Sequence, residues 1–166
     1  NETTGKIYKE FGYVLIALFV GTLVYGSYLG IDSLNDFLRI YIGISLVSFG
    51  VLKTFKLLDF AESHQRYDLI SRHFILYGYM YPFIEITLGV FLVINYHVVI
   101  AYSILIPILC LRVLSVWHTI AINTKVNYAY LEGFFKIRIS YATVIIDLLI
   151  ILFGFIQLSL LLKGFI

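Results

Sequence analysis

Long apolar runs, broken only by isolated polar positions, recur five times along the chain, at residues 11–31, 36–58, 73–96, 97–122 and 140–162. A hydrocarbon layer about 30 Å thick is crossed by roughly 20 residues of helix, and each run reaches that length. The pattern predicts an all-α membrane protein of about five transmembrane helices. Lys6 and Lys9 before the first run give it the look of a secretory leader, but its apolar stretch is too long for an h-region. It reads as a retained helix. The connection at Asn95-Tyr96-His97 is short and holds no Lys or Arg. Two longer connections remain, 59–72 and 123–139. In the first, Phe60, Tyr67, Leu69 and Ile70 alternate with Glu62, Arg66 and Asp68, which predicts an amphipathic helix at the membrane interface. No Gly/Ser-rich or Pro-rich linker divides the chain. The expected organisation is an N-terminal helix in residues 1–35 and a four-helix bundle in 36–166, forming one structural unit.

Composition agrees with this reading. Hydrophobic residues make up 61% of the 166 positions and charged residues 13%, with mean hydropathy +0.95. A soluble domain carries about 25% charged residues, so a water-soluble enzyme, a disordered tail and a fibrous protein are excluded. The net charge of +2 is too small to point to nucleic acid. The partners it implies are the lipid bilayer and other integral membrane subunits. Nine basic residues (Lys6, Lys9, Lys53, Lys56, Arg66, Arg72, Lys125, Lys136 and Arg138) fall on one side, against Arg39 and Lys163 on the other. By the positive-inside rule the N-terminus is cytoplasmic and the C-terminus outside, in a multi-pass protein of the cell membrane.

The candidate chemistry is sparse. Glu85, Arg112 and Asp147 fall inside spans, where an unpaired charge is costly and charged groups normally face the bundle interior. Counted from the inner face they lie at depths within about 10 Å of each other, so a Glu85–Arg112–Asp147 cluster is expected. It fits either a structural lock or a proton relay. An arginine beside two carboxylates favours their charged form and makes them poor proton shuttles, so the lock is preferred. His64, His73, His97 and His118 show no metal-site spacing, and no metal is predicted. His97 and His118 sit near opposite faces, which excludes axial haem ligation. No cofactor is predicted, and a bound lipid or quinone is left open. Tyr77, Tyr79 and Tyr81 alternate, so they spread around a helix rather than form one face. Lone Cys110 sits deep in an apolar run, an inert position. On the first span, Gly21, Gly26 and Gly30 stand beside Thr22, Tyr25, Ser27 and Tyr28. Small and hydroxyl residues of this kind let membrane helices associate. Either these first-span residues serve packing against the chain's own core, or Gly26 and Gly30, with Tyr128, Tyr130, Phe134 and Phe135 in the second long connection, form a docking surface for a partner subunit.

Four segments in order carry a family resemblance: Phe49-Gly50-Val51-Leu52-Lys53, Leu58-Asp59-Phe60-Ala61-Glu62, Arg66-Tyr67-Asp68-Leu69-Ile70 and Tyr81-Pro82-Phe83-Ile84-Glu85-Ile86-Thr87-Leu88-Gly89. Over roughly residues 36–150 the chain resembles the MauE/DoxX family of small bacterial and archaeal membrane proteins, in the branch with a helix ahead of the four-helix core. That resemblance implies a Cys-Ala-Cys segment after the fourth span and a Glu-Asp pair further on. Tyr128-Ala129-Tyr130 stands at the first, and Ile146-Asp147 at the second. Thiol–disulfide exchange needs a thiolate attacking sulfur, which a phenol does not supply. The resulting expectation is a non-catalytic membrane subunit or assembly factor of a larger complex, of oxidoreductase type by the resemblance. A membrane redox partner in thiol- or quinone-linked electron transfer and a small proton, ion or solute transporter are the alternatives.

Overall fold

In a computed structural model, residues 2–31, 33–122, 129–131, 135–137 and 141–164 are described. Six helices carry the fold: α1 (Glu2–Leu29), α2 (Leu34–Phe55), α3 (Leu57–Tyr67), α4 (Ile75–Val93), α5 (Val98–Ala121) and α6 (Tyr141–Leu162). Five of them contain apolar spans of 19 to 24 residues, namely Lys9–Leu29, Leu34–Phe55, Ile75–Val93, Val98–Ala121 and Val144–Leu162. These match the five apolar runs to within a few residues. The protein is an all-α, multi-pass membrane protein. Among the described residues, a departure from purely helical structure lies in the connection 123–139. There β1 (Ala129–Leu131) and β2 (Phe135–Ile137) form a small antiparallel hairpin with Tyr130 opposite Lys136.

The helix ends follow local chemistry. Gly30 takes the left-handed conformation at φ 65°, so its N–H reaches the Ser27 carbonyl at 3.3 Å while the Ile31 N–H reaches Gly26 at 3.0 Å. This is a Schellman stop. The α4–α5 turn uses Asn95 at φ 56° and His97 at φ 46°, with the Tyr96 N–H bonded to the Phe91 carbonyl at 2.9 Å. At the opposite end the Asp68 carboxylate caps the chain after α3, accepting the N–H groups of Ile70 at 3.0 Å and Ser71 at 2.7 Å. An aspartate suits this because its short side chain mimics a backbone turn.

Packing is uneven. α2 and α4 touch along their backbones, since a Cβ at Gly89 would lie 2.7 Å from the Gly43 carbonyl oxygen and one at Gly50 would lie 3.0 Å from that of Pro82. The main core joins α2, α4, α5 and α6 through Leu46, Leu88, Leu92, Tyr102, Leu105 and Ile151. α1 packs on α2 and β2, and β1 on α3. Its contacts are ring edges, Phe19 on Phe37 and Tyr41, and the Phe11–Phe49 stack. α1 is thus peripheral, with 11% of its apolar window buried.

The predicted interfacial helix exists as α3, but it is set into the bundle. Phe60, Ala61, Ser63, His64 and Tyr67 are buried along it. Asp68, expected on the polar face, is also buried because its carboxylate is consumed by the turn it caps. Leu69 and Ile70 fall beyond the helix, in the turn itself.

Candidate functional site

The structure brings Glu85, Arg112 and Asp147 together. From α5, Arg112 donates Nε to Asp147 Oδ2 at 2.8 Å and Nη2 to Oδ1 at 2.6 Å, a bidentate fork. Its Nη1 lies 3.5 Å from Glu85 Oε1 and donates to the Tyr81 hydroxyl at 3.1 Å. Asp147 is fully buried, and Glu85 nearly so.

A fourth charge completes the group. Lys53, in the last turn of α2, donates Nζ to Glu85 Oε2 at 2.6 Å and is itself buried. Its ammonium also lies over the rings of Phe60, 5.4 Å away, and Tyr81, 5.3 Å away. By its place in the chain Lys53 falls among the cations that set orientation, but the structure buries it. The correction is physical, since a lysine inside the apolar run 36–58 needed a buried carboxylate, and Glu85 supplies it. Arg39, also counted as a loop cation, is buried too. It donates to Asp36 at 2.9 Å and to the Leu92 carbonyl.

Beside the charges sits an aromatic box around His64. Its ring lies 5.0 Å from Phe60, 5.1 Å from Tyr67, 6.3 Å from Tyr77 and 4.7 Å from Tyr81. Tyr77 and Tyr81 therefore share a face after all, because they are four residues apart, one helical turn. Tyr79 takes no part in the box. His64 Nδ1 pairs with the Tyr67 hydroxyl at 2.9 Å, while Nε2, 3.8 Å from Asp68, has no hydrogen-bond partner among the described residues. Burial holds His64 well below the usual imidazole range, and the Lys53 and Arg112 charges act in the same direction. Among the described residues, no three His, Cys, Asp or Glu side chains converge as metal ligands would.

Glu85, Arg112 and Asp147 also line a cavity of about 280 Å³, with side chains of α1, α2, α5 and α6 making up the rest of its wall.

The expected docking residues divide. Gly26 is buried and faces α2, its Cβ position 3.9 Å from Phe37. It is not available to a partner. Gly30 is the helix stop and points at nothing within 4 Å. Thr22 also turns inward, whereas Gly21, Tyr25, Ser27 and Tyr28 remain exposed. Tyr130 and Phe135 lie on β1 and β2, while Tyr128 and Phe134 fall outside the described residues.

Set against family models, curated proteins and solved structures, the chain finds no match.

Proposed function

We propose that this protein is a non-catalytic membrane subunit or assembly factor of a larger complex, lying in the cell membrane with its N-terminus cytoplasmic. The observation that carries this reading is the mutual pairing of buried charges among the described residues. Two cations and two carboxylates satisfy one another at 2.6–2.8 Å across four helices, which ties helix register rather than presenting a reactive group. The resemblance to the MauE/DoxX family supports it further, with Tyr128 and Tyr130 where that family has thiols. Orientation rests on the basic bias. With Lys53 and Arg39 buried in pairs, eight basic residues still stand against one.

The test is purification from native membranes in mild detergent, with identification of co-purifying chains. One or more integral membrane proteins should accompany the chain in fixed ratio. Isolation as a lone protein from its own membrane overturns the proposal, as does a dithiol-dependent electron-transfer activity in the purified chain.

A further inference from the structure

The cavity of about 280 Å³ lies where the packing of the bundle lapses. α1 packs on α2 and β2, and α6 on α5, whereas α1 and α6 have no comparable packing among the described residues. Both helices nevertheless supply wall, through Phe11 and Leu15 of α1 and Leu149 and Ile150 of α6. Leu46 of α2 and Leu109 of α5 add buried wall, at 8% and 2% exposed, while Leu149 is 60% exposed on the outer surface. The wall thus reaches from the bundle core to the face that a bilayer covers. Glu85, Arg112 and Asp147 belong to it too, but their charged atoms are turned to one another and to Lys53 and Tyr81. Nearly all the surface that faces the cavity is carbon.

That surface decides the occupant. Water held in a cavity needs several polar partners, and a cavity lined by carbon stays dry yet accepts apolar guests. An ion or a polar head would lose its hydration with little to replace it. A helix of a second copy, about 10–12 Å across with its side chains, is too wide for this space. Both α1 and α6 are long and apolar enough to cross a membrane, so what stands outside the gap between them is lipid hydrocarbon. A methylene gives up little in passing from lipid to an apolar cavity, and it restores the dispersion contacts that a void forfeits. We infer that the acyl chain of a bilayer lipid enters between α1 and α6 and occupies this cavity. The site is independent of the subunit reading, since it concerns what fills the chain's own interior.

The test uses the full chain in phosphatidylcholine nanodiscs doped with a phosphatidylcholine that carries a diazirine midway along one acyl chain. Irradiation expels N2 from the diazirine, and the carbene left behind inserts into a C–H bond it touches. Adducts are mapped by mass spectrometry of peptides. The exposed Leu148 and Leu152 should be labelled from the surrounding bilayer. Labelling should also reach Leu46 and Leu109, and should miss Leu88 and Leu105, which are as deeply buried but lie off the cavity. Leu15→Trp fills the cavity from the peripheral helix and should lower the adducts at Leu46 and Leu109 about tenfold, with Leu148 and Leu152 unchanged. Circular dichroism checks that this variant keeps wild-type helicity, and Ser45→Phe takes its place if it does not. Adducts confined to the exposed leucines overturn the proposal. Interior adducts that extend to Leu88 and Leu105, or that persist undiminished in the filled variant, assign the labelling to opening of the bundle and overturn it too.

Discussion

α1 and α4 are both apolar enough to span a membrane, over Lys9–Leu29 and Ile75–Val93, yet only Thr22 and Gly26 of the first are buried in the protein, against seven residues of the second. In lipid an apolar side chain gains little by leaving its surroundings, so apolarity alone does not draw helices together. α4 is held by what lipid cannot satisfy or fill. Glu85 needs Lys53 and Arg112, and Gly89 lets its backbone meet that of α2 at Gly43. α1 offers α2 mainly ring edges and a few inward positions such as Thr22 and Gly26. Charge and close approach, rather than hydropathy, separate an integral helix from an applied one.

The largest expected effect comes from breaking the charges. Arg112→Leu removes the bidentate partner of fully buried Asp147, a change that typically costs about 3–5 kcal/mol. It should lower folded yield and the unfolding midpoint in detergent sharply. The geometry also ranks the rescues. Glu85 keeps Lys53 at 2.6 Å, so adding Asp147→Asn to Arg112→Leu should restore more stability than adding Glu85→Gln. Equal rescue would mean the four groups do not divide into the pairs seen here.

Close approach comes next. A Cβ at Gly89 would sit 2.7 Å from the Gly43 oxygen and 2.9 Å from the Val47 nitrogen, and backbone cannot yield as a side chain does. Gly89→Ala should cost about 1–3 kcal/mol, read as a lower unfolding midpoint. A midpoint at the wild-type value would remove glycine contact from the account of why α4 is integral.

His64 gives a pH-dependent probe of the same end of the bundle. Burial, Lys53 and Arg112 all hold its pKa below 6.5, against Asp68 3.8 Å from Nε2. An unfolded histidine therefore binds a proton that the folded one refuses. Stability is complete above about pH 6.5 and falls on acidification by about 1.4 kcal/mol per pH unit, down to the folded pKa. His64→Gln should flatten that slope between pH 6.5 and 5, whatever it does to the absolute midpoint. An unchanged slope would assign the acid sensitivity to another group.

These contrasts also mark what the sequence made legible. Span number and position follow from run length, and Glu85, Arg112 and Asp147 stand out as charges in apolar surroundings. Depth along the membrane could be counted from the ends of each run. Rotation about each helix could not, because a run that is apolar on every side has no amphipathic face to set it. Gly26 and Thr22 are therefore indistinguishable by sequence from Gly21 and Tyr28, although the first two are buried and the others exposed. Lys53 was readable in principle, as an ionisable residue inside the run 36–58, and so was the four-residue spacing of Tyr77 and Tyr81. The placement of His64 among their rings was not, since it depends on α3 folding back into the bundle.

The smallest effect on folding belongs to the outward face of α1, and it is the most informative about partners. Gly30 is a poor probe there. Its φ of 65° makes Gly30→Ala cost about 1–2 kcal/mol of backbone strain whether or not a partner exists. Gly21 is exposed with nothing within 4 Å of its Cβ position, so Gly21→Leu should change stability by no more than about 0.5 kcal/mol. A leucine there would nevertheless hold a second helix away from the small residues that permit close association. If α1 is applied loosely to its own bundle because its outer face belongs to another subunit, Gly21→Leu should release the chain from its complex with the unfolding midpoint unmoved. Full co-purification of the variant would show that the contact with any partner lies off this face, and α1 would then be peripheral simply because lipid covers it.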